Sequence, residues 1–140
     1  MKKQTLTLDL QPEFYLLALV SPYRYYRLCY FLNKHLLIDL VLQEPLAIHS
    51  GEKHQLLQFH LYEYYDPLEQ MTYQLLANKG EGGALVPELK RVDYFLVLQG
   101  EFAEQHICSI EKELIDLSFI HAVYQIQPEN LRSWQNLLIK

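Results

Sequence analysis

Glu88 and Asp93, with Pro87 and Tyr94 beside them, are the residues whose types best suit acid and base chemistry. Two carboxylates held in different surroundings titrate apart, so that one can donate a proton while the other accepts one. The same side chains can instead accept hydrogen bonds from backbone N–H groups in a turn. The second reading is preferred, because no nucleophile and no metal-ligand spacing accompanies the pair.

A second constellation lies between Tyr23 and Lys34. At helical spacing Arg24, Arg27 and Lys34 share one side, with Phe31 among them, which is the chemistry of a surface that grips phosphates and stacks a base. The formal net charge of −5 opposes it, since nucleic-acid affinity is dominated by cations. A solvated helix face with partly packed aromatics is therefore preferred. Tyrosine is abundant, with 11 residues, and exposed tyrosines offer large contact area at low entropic cost. Tyr62 and Tyr64 alternate outward on a predicted strand and are the candidate protein interface, with packing in the core or on the sheet face as the equal alternative.

Other chemistries have less support. Histidines stand at 35, 49, 54, 60, 106 and 121, without the i, i+4 pair or cysteine company of a zinc site. No metal and no cofactor is expected. Gly80, Gly82 and Gly83 do not open a helix followed by Lys and Ser/Thr, so they are turn glycines rather than a phosphate loop. Cys29 and Cys108 both fall among apolar neighbours in predicted helices and are expected in the core, reduced.

The elements that must position these residues follow from periodicity. Thr5 to Leu10 alternates as an edge strand, and Phe14 to Val20 is a buried strand. Tyr25, Leu28, Cys29, Leu32 and Leu36 make one face of a helix over Tyr23 to Leu37. Pro45 divides an ambiguous stretch that ends in a short strand at Leu46 to Ile48. Leu56 to Tyr65 and Met71 to Ala77 alternate as a hairpin around the Asp66-Pro67 turn. Val92 to Leu98, apolar on both faces, is the central strand. A helix over Ala103 to Leu117 buries Ala103, Ile107, Ile110, Leu114 and Leu117, Phe119 to Ile126 returns as a strand, and Leu131, Trp134, Leu137 and Leu138 dock on the body.

The 140 residues suit one domain. The expected class is α+β, a two-layer sandwich whose mostly antiparallel sheet carries two packed helices. No window reaches the roughly 20 apolar residues of a membrane span, and the N-terminus lacks the apolar stretch of a signal peptide. A cytoplasmic protein with no membrane partner is expected.

The stretch Val86-Pro87-Glu88-Leu89-Lys90-Arg91-Val92-Asp93-Tyr94 resembles the signature of the bacterial IPExxxVDY family, with Val in place of the opening Ile. Tyr26-Arg27-Leu28, Asn33-Lys34 and Asn78-Lys79 extend the resemblance over most of the chain. The family carries no assigned activity, so the resemblance implies membership and neither a catalytic role nor a cofactor. The reading that follows is a protein-binding or regulatory module, with a protein partner or a second copy of the chain. An RNA-associated accessory protein and a small enzyme using Glu88 and Asp93 are the alternatives.

Overall fold

Tyr94 to Leu98 is buried at every position, and a strand of that kind needs cover on both faces. The computed structural model, which describes residues 14–49 and 55–137, supplies it. In chain order the elements are β1 (Tyr15–Val20), α1 (Tyr25–Leu36), β2 (Val41–Leu42), β3 (Leu46–His49), β4 (Leu56–Phe59), β5 (Leu61–Asp66), β6 (Met71–Ala77), β7 (Lys79–Gly80), β8 (Gly83–Ala84), β9 (Tyr94–Gly100), α2 (Ala103–Ile115) and β10 (Ala122–Ile126). Six strands form one sheet in the order β10-β1-β9-β6-β5-β2, antiparallel at every junction. The class is α+β, with both helices on one face of an antiparallel sheet and β9 in its interior, as the apolar run predicts.

That helical face forms the larger core. Leu28, Cys29 and Leu32 of α1 and Ala103, Ile107, Ile110 and Leu114 of α2 close over Leu17, Leu19, Tyr73, Leu75, Leu96 and Leu98. The α2 stripe matches its expected positions, and its final member, Leu117, is half-buried against the same cluster. Lys34 and His35 lie in the last turn of α1, where positive charge suits the helix dipole. The chain leaves α1 through Leu37 in the left-handed region. Asn33 then clasps Leu40, accepting from its N–H at 2.7 Å and donating to its carbonyl at 3.1 Å.

The opposite face is also buried, under cover that is not helical. The β3–β4 ribbon, Leu85, Val86, Val92, Leu131 and Leu137 pack over Leu16, Leu76, Phe95 and Val97. The expected strand over 56–65 divides at His60, whose carbonyl still accepts from Ala77 N–H at 3.0 Å. Leu46 to His49 pairs with β4, in a ribbon separate from the main sheet. The expected strand from Thr5 to Leu10, His54, Leu138 and the side chain of Trp134 lie outside what is described.

Two expectations are corrected. Tyr62 and Tyr64 do alternate away from Leu61, but the face they occupy is the one beneath the helices: Tyr62 is 6% exposed and Tyr64 packs half-buried against the larger core. Tyr62 stands opposite Leu75 and Tyr64 opposite Tyr73, and directly opposed residues share a face. Tyr62 and Tyr64 therefore do not form an outward interface, and the exposed tyrosine of β5 is Tyr65. Cys108 is the second correction, since it is exposed while Cys29 is buried.

The β5–β6 turn is held by Asp66, whose carboxylate accepts from Leu68 and Glu69 N–H. Gly100 closes β9 against it with φ of 142°, where a Cβ would lie 2.6 Å from the Gln70 carbonyl oxygen. Neither the dihedral nor the space admits a side chain. Gly100→Ala is expected to destabilise the protein by about 2 kcal/mol or more, and urea denaturation reads it; a loss under about 0.5 kcal/mol would refute the tight closure.

Candidate functional site

The turn between β6 and β9 carries the motif residues, and a single buried side chain shapes it. Asn78 is fully buried. Its amide donates to the carbonyls of Leu89 at 2.8 Å and Val92 at 2.9 Å, and its Oδ1 accepts from Val86 N–H at 2.8 Å. Its backbone accepts from Leu85 N–H and donates to the Asp93 carbonyl. The motif is thus wrapped around one asparagine, with Val86 and Val92 buried on either side. Pro87 opens the short 3-10 turn Pro87–Leu89, where a missing N–H costs nothing.

Glu88 and Asp93 leave this turn in different directions. Glu88 accepts from Ser133 N–H at 3.0 Å and Ser133 hydroxyl at 2.9 Å, tying down the C-terminal segment together with the bond from Asn136 amide to Leu85 carbonyl. Burial acts to raise the Glu88 carboxyl, but donors from its own N–H, Ser133 and the Arg132 backbone outweigh it and hold the group below its ordinary 4.5. Asp93 accepts from Ser21 N–H at 2.9 Å and pairs with Lys79 at 2.7 Å. The pair expected for acid and base work is therefore divided between two turns, each carboxylate doing the structural task of satisfying donors.

Tyr94 begins β9 on the helical side. Its hydroxyl donates to the Tyr23 carbonyl at 2.6 Å, which fixes the entry to α1 against the sheet. Burial, followed by the Asp93 charge, pushes this phenol up to about 12, so it remains a hydrogen-bond donor at neutral pH. Burial and then the Asp39 charge push the Cys29 thiol up to about 11. That leaves it a core residue rather than a nucleophile.

Beside Asp93 the ends of β1, β6 and β9 and the start of α1 surround an open hollow of about 520 Å³. Its charged walls are Arg24, Lys79 and Asp93, with His60 and His121. Tyr25 stacks on His60 with ring centroids 3.6 Å apart. The motif thus reaches the surface here through Asp93 and Tyr94. Ser21, Asn78 and Ser133 were not read as site residues by residue chemistry. A short polar residue signals a turn, and nothing in its identity tells which backbone groups it will meet.

The α1 surface divides the basic constellation. Arg24, Arg27 and Lys34 are exposed, as predicted, but Phe31 is half-buried and packs on Phe119 and Tyr23 with centroids at 5.5 and 5.7 Å. Its ring is spent on the protein's own core and is not open for stacking a base. The Arg27 guanidinium lies 4.1 Å from the Tyr23 ring centroid. On α1 the exposed tyrosines are instead Tyr26 at 57% and Tyr30 at 62%. Among the described residues no group of three or more His, Cys, Asp or Glu side chains could hold a metal, and no helix is long and apolar enough to cross a membrane. No family model, curated protein or solved structure matches the chain.

Asn78→Ala would strand the Val92 carbonyl and the Val86 N–H in the interior, at about 1 to 3 kcal/mol each, and would leave the half-buried Leu89 carbonyl with Val92 N–H alone. A loss of at least about 3 kcal/mol is expected by urea denaturation. Asn78→Asp at pH 7 should be no milder, because a carboxylate would face two carbonyl oxygens. Variants within about 1 kcal/mol of the parent would remove Asn78 from its central place.

The Glu88 tie predicts a pH dependence. Because its folded carboxyl lies below the unfolded value, the contribution is complete above about 4.5 and lost as pH falls through the lowered value. Glu88→Gln should cost about 1 kcal/mol at pH 7, and the difference from the parent should shrink as pH falls below about 4.5. Denaturation at neutral and acid pH checks this, and a difference independent of pH would refute it.

Proposed function

We propose that this chain is a cytoplasmic protein-binding or regulatory module of the IPExxxVDY family, without catalytic activity of its own, that meets its partner through the outer surface of α1. The observation that carries this reading is the exposed stripe of Tyr26, Tyr30 and Lys34 at successive helical turns, with exposed Arg27 alongside. Tyrosine and arginine are the residues that recur at the energetic centres of protein interfaces. Large aromatic rings left in water on a helix gain most by being covered. Family membership is supported by the way the motif spacing maps onto one structural unit: Val86 and Val92 buried, Glu88 and Asp93 on separate ties, and Asn78-Lys79 at its centre.

The absence of an acid and base pair at the motif speaks against the enzyme reading, and the internal packing of Phe31 weakens the RNA reading. The test is retention from native lysate on the immobilised chain, compared with a Tyr26→Ala, Tyr30→Ala variant and repeated after nuclease treatment. A defined protein held at least about fivefold less by the variant, and unaffected by nuclease, is expected. Equal retention by both would overturn the reading, and retention that disappears with nuclease would replace it with the RNA-associated one. Both substitutions lie at the surface, so the variant's stability should stay within about 0.5 kcal/mol of the parent.

A further inference from the structure

We propose that the hollow beside Asp93 is a binding site for a small organic anion, a carboxylate or phosphate ester with an apolar body. This inference is independent of the α1 surface reading, since it concerns a different set of side chains and needs no macromolecular partner.

The charge balance of the hollow sets the sign of the ligand. Its carboxylate, Asp93, is already engaged on both oxygens, one accepting from Ser21 N–H and the other paired with Lys79. That leaves the Asp93–Lys79 pair neutral as a unit and the Arg24 guanidinium as surplus positive charge. Among the described residues Arg24 joins neither of the two ion pairs. Lys79 has further N–H donors beyond the one aimed at Asp93, because an ammonium carries three. His60 and His121 line the same walls and can donate to an anion from a ring N–H. In a chain whose formal net charge is −5, this concentration of donors in one concavity runs against the whole-molecule trend.

Size and lining set the class. A hollow of about 520 Å³ falls within the roughly 300–1,000 Å³ of small-molecule sites. Val20, Pro22, Ala77, Tyr25 and Tyr94 share its walls with the polar groups. Apolar walls with a few convergent donors are how such sites hold an organic body and orient its charged head. The walls are also braced: Tyr94 hydroxyl holds Tyr23, Asp93 holds Ser21, and Tyr25 stacks on His60. Little ordering cost is then left for the moment of binding.

The test is titration of the full chain, followed by backbone amide NMR, with phenyl phosphate, benzoate, inorganic phosphate and uncharged benzyl alcohol. Phenyl phosphate or benzoate should shift the signals of Ser21, Tyr23 to Tyr25, Lys79 and Asp93, and whichever binds tighter identifies the head group. Inorganic phosphate should bind more weakly than phenyl phosphate, and benzyl alcohol should leave these signals in place. Arg24→Ala, which removes no structural bond described here, should weaken the preferred anion by about tenfold, whereas Arg91→Ala, outside the hollow, should not change it. Shifts centred elsewhere, equal shifts from benzyl alcohol, inorganic phosphate binding as well as phenyl phosphate, or an affinity indifferent to Arg24→Ala would each overturn the proposal.

Discussion

Asn78 sits where β6 ends and the glycine hairpin begins, and its amide satisfies three backbone groups that no neighbouring strand or helix reaches. Val86 and Val92 are buried, so the Val86 N–H and the Val92 carbonyl have no water to fall back on, and a buried unpaired carbonyl or N–H is costly. Asparagine is the side chain that can donate twice and accept in one small planar unit. The surrounding geometry follows from that. With Leu89 and Val92 held on the same amide, the Pro87–Leu89 turn is drawn inward and Asp93 emerges beside the end of β1.

The hollow is a consequence of this placement. The Asp93 N–H donates to the Leu19 carbonyl and its carboxylate accepts from Ser21 N–H, so β1 and the approach to α1 are fastened at one residue. Tyr94 adds a second fastening at Tyr23. Three strand ends and a helix start are thereby held around a concavity, with Lys79 delivered to its rim by the residue next to Asn78. Glu88 performs the corresponding task on the other side of the turn, where Ser133 and Asn136 bring the C-terminal segment over the second face of the sheet.

Cover on both faces explains where the aromatic residues went. With helices on one face and the β3–β4 ribbon, the motif turn and the C-terminal segment on the other, neither set of alternating residues in the central strands is free to meet water. Tyr62, Tyr73 and Tyr94 are buried as large apolar bodies, and burial pushes each of their phenols up to about 12. The most exposed tyrosines are Tyr26 and Tyr30 on α1, followed by Tyr65 at the end of β5 and Tyr124 on the edge strand β10.

Much of the architecture was legible before any coordinates, because it depends on local periodicity. The all-apolar run ending at Leu98 reads as an interior strand, the Ala103, Ile107, Ile110 and Leu114 stripe reads as one helix face, and Asp66-Pro67 favours a turn. Parity was legible too, in that Leu57 and Phe59 of β4 and Leu61 of β5 join one core and Tyr62 and Tyr64 of β5 the other. Which face meets solvent was not, since that depends on segments remote in the chain: α1 over Tyr62, and Leu131 and Leu137 over Phe95. The same limit governed the site. Glu88 and Asp93 were recognisable as residues able to do chemistry, but their partners Ser133, Ser21 and Lys79 are joined to them by the fold alone. Periodicity reports the phase of a side chain about its own backbone, and only packing of distant elements sets what that side chain will touch.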